Sequence, residues 1–172
     1  MPTGPGVLDI GGFTQGYISA LTDVDGYARD LLGSIRRELN GFYKYVQFGA
    51  TRGGNLTAAF LPGDVACYVV GTTADLDRLT LVDSPNSAIG AGVVMGSVPN
   101  TGGPWFGWIM VCGTCQLNNA LGGSPAAGNE VTTTGAATKT LTVKAAVTNI
   151  SAGVAVDVSV TASPVVNINF PF

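Results

Sequence analysis

Apolar residues in this chain recur mostly at every second position, in short runs broken by Gly, Pro, Asn and Asp. The runs "FYKYVQF", "LPGDVACYVV", "RLTLVD", "AIGAGVVMGSV" and "PWFGWIMVCGTCQL" each have the length and composition of one strand. Pro62-Gly63 marks a turn ahead of Val65, and Gly107 and Gly113 interrupt the longest run where a bulge or bend is expected. Further on, Val154, Val156, Val158 and Val160 alternate strictly, which predicts a strand with one buried face.

One stretch competes with this pattern. In "RDLLGSIRRELNGFYKYVQFG", Ala28, Leu32, Ile35 and Leu39 recur at helical spacing, and Gly41 could cap such a helix. The same letters spell a hairpin. Asn40-Gly41 would be its two-residue turn, Phe42 to Phe48 its returning strand, and Arg37 would then face Lys44 as a mildly unfavourable like-charge pair. Gly33 weakens the helix by about 1 kcal/mol, and Tyr43, Tyr45 and Val46 favour a strand, so the hairpin is the expectation.

The predicted fold is therefore mainly β. Residues 1–30 are expected to form an extended N-terminal arm, with apolar groups but no sustained period. Residues 31–135 should form a small β-barrel or sandwich, and residues 136–172 a β-rich C-terminal extension. At 172 residues the chain is long enough for one ordinary core, and 25 Gly with 9 Pro leave little room for long helices.

Charge and residue usage narrow the function. Only 11% of residues are charged, the formal net charge is −3, and 8 Lys and Arg are too few to line a phosphate-binding groove, so no nucleic-acid partner is expected. No apolar run reaches the roughly 20 residues of a membrane span, and "MPTGPGVLDIGG" lacks the marks of a secretory signal; no membrane partner or export is expected. Three cysteines suit a reducing compartment, and the absence of histidine removes the commonest general base and zinc ligand.

The remaining candidates for chemistry read as structure. Cys112-Gly113-Thr114-Cys115 lies in a strand-like run that points the two thiols to opposite faces, with only Cys67 left to complete a metal site. "DVDGYARD" lacks the closing Glu of a calcium loop, and "GATRGGN" has no Lys-Ser or Lys-Thr after it. Trp105 and Phe106 should face opposite ways, with Trp108 on the side of Phe106; core or subunit packing suits them better than a sugar platform. No enzyme activity, metal or cofactor is expected. Phe13, Tyr17, Trp105, Trp108, Phe170 and Phe172 are the candidate subunit or capsid contacts, the last two because they lie at a chain end that would otherwise fray.

The segments "LGSIRRELNGFYKYVQFGA", "LPGDVACYVV" and "GWIMVCGTCQLNNA" together resemble the head decoration, or cement, proteins of tailed bacteriophages. The residues that carry the resemblance include Leu32, Gly33, Gly41, Tyr43, Tyr45 and Val46, and it spans roughly residues 31 to 135. It implies a virion protein, made in the host cytoplasm, that sits outside the shell on the major capsid protein. The implied state is a homotrimer that stabilises the expanded head. A tail or fibre-type module that binds a receptor or carbohydrate is the alternative.

Overall fold

The structure, a computed structural model, describes residues 19–38, 40–69, 80–83, 89–134, 138–146, 150–159 and 161–170, and the backbone of two short strands before them. Every regular element among these residues is a strand. The two short ones are β1 (Val7–Leu8) and β2 (Gly16–Tyr17), and β3 (Val24–Asp25) follows. Then come β4 (Ile35–Glu38), β5 (Gly41–Phe48), β6 (Val65–Tyr68), β7 (Leu81–Asp83), β8 (Gly90–Val94) and β9 (Trp105–Gln116). The chain closes with β10 (Glu130–Thr133), β11 (Leu141–Val143), β12 (Gly153–Asp157) and β13 (Val165–Asn169).

Five of these strands close on themselves. β5 pairs with β7 in parallel, β7 with β6, β6 with β8, β8 with β9, and β9 returns to β5, which makes a closed five-stranded barrel. Period-two alternation then sorts the side chains. Val46, Phe48, Ala66, Tyr68, Val82, Ala91, Val94, Ile109 and Val111 fill the lumen, with Phe60 plugging it against Phe48 at a ring distance of 5.9 Å.

The intervening residues of the same strands face outward into a second core. Tyr43, Tyr45, Val93, Trp108 and Met110 pack there against Val131, Leu141, Val166, Ile168 and Phe170 from the C-terminal strands. Those strands run β11-β10-β12-β13 and join the barrel through β9, whose C-terminal half pairs Cys112 to Gln116 with β13. One twelve-residue strand thus belongs to both layers. Its change of partner comes at a bulge: Phe42 faces Cys112 but Tyr43 faces Met110, which leaves Val111 as the extra residue.

The hairpin between β4 and β5 is present, but the pairing is shifted by two residues from the expected register. Ile35 pairs with Lys44, Arg37 with Phe42 and Glu38 with Gly41, so Gly41 belongs to the ladder and is not a turn residue. Arg37 consequently stacks on the Phe42 ring at 5.8 Å instead of opposing Lys44. Gly41 serves a different need. It pairs with Gly113, and a Cβ on Gly41 would overlap the Cys112 carbonyl oxygen. By contrast the turn at Pro62-Gly63 is as expected: Gly63 has φ +90°, and the Asp64 N–H donates to the Leu61 carbonyl at 3.0 Å.

Two further expectations change. Part of the expected arm, from Ser19 onward, lies against the barrel: β3 pairs with β9, and Ser19 is buried beneath Trp108. In β12 the buried positions are Gly153 and Ala155, while Val154 and Val156 face outward. The strand alternates as expected, but its small residues fit the packed side and its valines do not.

Candidate functional site

Trp108, Trp105 and Phe170 were expected at contacts between chains, and the structure gives all three work inside one chain. Trp108 is buried, its indole N–H donates to the Ser19 hydroxyl at 3.0 Å, and Tyr45 meets it edge-on at 5.1 Å. Trp105 packs partly buried against the lumen cluster and donates its N–H to the Thr101 carbonyl at 3.1 Å. Phe170 is 2% exposed and lies against Gly90 of the barrel wall. A large ring near the chain end is thus explained by the second core, and a stacking platform of two open indoles is not formed. Phe13 and Phe172, and the side chain of Tyr17, lie outside the described residues.

The acids and thiols with candidate chemistry are engaged internally. Asp23 accepts from the Ala20 N–H at 2.8 Å, Asp25 pairs with Arg29 at 2.5 Å, and Asp30 accepts from the Ser19 hydroxyl at 2.7 Å. Buried Asp64 accepts from the side-chain amides of Asn118 and Asn119, both at 2.8 Å, and from the Leu61 N–H. Buried Asp83 accepts from the Thr57 hydroxyl at 2.5 Å. Asp75 and Asp77 are outside the described residues. Burial pushes the Cys115 thiol up to about 12, which suppresses the thiolate that redox or metal chemistry would use. Among the described residues no three acids or thiols gather as a metal site.

Sequence reading missed one titratable pair. Lys44 is only 4% exposed and points into the barrel lumen, where its amine donates to the Tyr68 hydroxyl at 3.1 Å. Burial lowers the Lys44 pKa and pushes the Tyr68 hydroxyl up to about 12. The signal was present in the letters, since Phe42, Lys44, Val46 and Phe48 alternate and put the lysine on the apolar face.

The open surface lies at the β4–β5 hairpin. Leu31 is 81% exposed and Tyr27 62%, with Ile35 and Phe42 also in contact with water. Beside them a groove is lined by Arg37, Glu38, Asn40, Gly41, Phe42, Cys112 and Gly113. Basic residues concentrate here as well. Arg29 stacks on Tyr27 at 5.0 Å, and Arg36 stacks on Trp108 at 5.7 Å while forming an ion pair with Glu38. A smaller apolar group, Ile150 with Val154 and Val156, is exposed in the C-terminal part of the chain.

Such a surface can bind by shape, apolar contact and a few charges. Comparison of the chain with known protein families, with curated proteins and with solved structures finds no match.

Proposed function

We propose that this chain is a structural virion protein that decorates the outside of a phage head, binds the major capsid protein, and stabilises the expanded shell as a homotrimer. The observation that carries this reading is that Tyr27 and Leu31, ahead of the β4–β5 hairpin, and Ile35 and Phe42 within it are left open to water. Several large apolar side chains exposed along one short stretch of chain favour an interaction role. Net acidity suits the outer face of a shell better than the side that meets DNA.

Cosedimentation with emptied, expanded heads tests the reading. Saturable binding is expected, and heads carrying the protein should withstand heating that bare heads do not. No binding to heads, together with binding on a glycan array, would replace this function with a receptor-binding module. Light scattering on the free protein gives the number of copies.

A further inference from the structure

Two strands end the large sheet, and their outer edges are treated differently. At β11, Gly122 forms a parallel bridge to Thr142. The Gly122 N–H donates to the Leu141 carbonyl and the Val143 N–H donates to the Gly122 carbonyl, both at 3.0 Å. That edge is covered. At β4, nothing among the described residues pairs beyond it.

The orientation of the free groups follows from the ladder. The Tyr45 N–H donates to the Ser34 carbonyl, so Ser34, Arg36 and Glu38 face β5, and the backbone groups of Ile35 and Arg37 point away from it. Unpaired N–H and C=O groups in a row are a template for another strand. Along that row the apolar Ile35 is followed by three charged side chains, Arg36, Arg37 and Glu38, of which two neutralise each other. Arg36 is held by Glu38 and the Ser19 carbonyl, but Arg37 has only the Phe42 ring, with no carboxylate among the described residues.

A strand with complementary features exists in the same chain. Among the described residues β1 and β2 pair only with each other, Val7 with Tyr17 and Leu8 with Gly16, in a two-stranded sheet that shares no ladder with the large one. An isolated pair of that kind is marginal in water. Its stretch Val7-Leu8-Asp9-Ile10 is apolar apart from Asp9, and Asp9 is the only charged side chain before Asp23. Eighteen residues lead up to Ser19, which at full extension reach about 60 Å, enough to cross onto a second molecule.

We propose that the Val7–Ile10 segment of one copy adds as a strand to the β4 edge of a second copy, with the Asp9 carboxylate against the Arg37 guanidinium. Main-chain hydrogen bonds supply affinity, the apolar residues meet Ile35 and Leu31, and the ion pair sets the register. Passed head to tail around a ring, the exchange closes on itself. It is a property of the free protein and goes beyond capsid binding, so it can fail while binding to heads survives.

Sedimentation of the full chain across the micromolar range tests it, beside a chain lacking residues 1–18 and the variants Asp9→Arg, Arg37→Asp and the double reversal. Circular dichroism confirms that each is folded. The full chain is expected to associate, and each single reversal to weaken association about tenfold or more. The double reversal should restore it. Hydrogen exchange adds a local readout: the Ile35 and Arg37 amides should be protected in the full chain and open in the shortened one. A full chain that stays monomeric overturns the proposal, as does a shortened chain that associates as tightly. So does a double reversal no better than the singles.

Discussion

The two cores share the strands β5, β6, β8 and β9 but are closed in different ways. The lumen is bounded by a ring of paired strands, so its walls have no edge, and it tolerates the polar Lys44–Tyr68 pair at its centre. The outer core is a layer between the barrel wall and the C-terminal strands, held to the barrel by the β9–β13 ladder and by side chains such as Phe170. A ring keeps its shape when one side chain changes; a layer depends on its large residues. Four sets of substitutions probe that difference.

The largest effect is expected from Phe170→Ala. It empties a fully buried site between Gly90 and the C-terminal strands, and should destabilise the protein by about 3–5 kcal/mol in urea unfolding. If the layer depends on Phe170 as argued, hydrogen exchange at β12 and β13 should rise more than at β5 and β7. Equal rises in both would merge the two cores into one cooperative unit.

Gly41→Val comes next, at about 2–3 kcal/mol, because the new side chain would press on the Cys112 carbonyl where two glycines let β5 and β9 approach. The mirror substitution Gly113→Val meets the Asn40 carbonyl and should cost a similar amount. Thermal unfolding of both variants checks the claim, and a negligible loss in either would mean the strands are free to separate there.

This glycine also shows what could be read in the sequence and what could not. Strands, turns and the hairpin were legible because they follow from local spacing and from dipeptides such as Pro62-Gly63. The hairpin register was not, since Gly41 answers to Gly113, seventy-odd residues away, and not to the turn. Barrel closure rests on the parallel pairing of β5 with β7, which no local pattern encodes. Aromatic residues at 105, 108 and 170 suggested contacts between chains, but ring size alone does not separate an interface from a core. The exposure of Ile35 was hidden because it recurs at helical spacing with Ala28, Leu32 and Leu39, which reads as burial.

The lumen offers a change in the other direction. Lys44→Met keeps the length of the side chain and removes an amine held out of water, so stability at neutral pH should rise by about 1 kcal/mol. The pH profile carries the sign. Native Lys44 has a lowered pKa, so between that value and about 10.4 the unfolded chain binds more protons and stability rises with pH. Tyr68, raised to about 12, does the opposite above about pH 10: the unfolded chain loses its proton first and stability falls. Urea unfolding across this range should therefore show a maximum near the crossover in the parent chain. In Lys44→Met the rise should be gone and the fall should remain. A rise that persists unchanged would show that the lysine is not the group responsible.

The smallest effect tests which side of β12 faces the outer core. Val154 and Val156 point to solvent while Ala155 packs inward beside Ala152. Replacing both valines with Thr preserves β-branching and strand propensity, and adds hydroxyls only where water already reaches. Stability should change by no more than about 0.5 kcal/mol. With the valines turned inward, the same double change would bury two hydroxyls and cost about 1–3 kcal/mol for each left unsatisfied. A slip of one residue exchanges the two faces completely, so the two outcomes are well separated. Ala155→Asp is the complementary probe: it places a carboxylate in the packed layer and should cost several kcal/mol. A neutral Ala155→Asp together with a damaging valine pair would reverse the faces of this strand, and would also move the apolar stripe of Val154 and Val156 from the surface into the core.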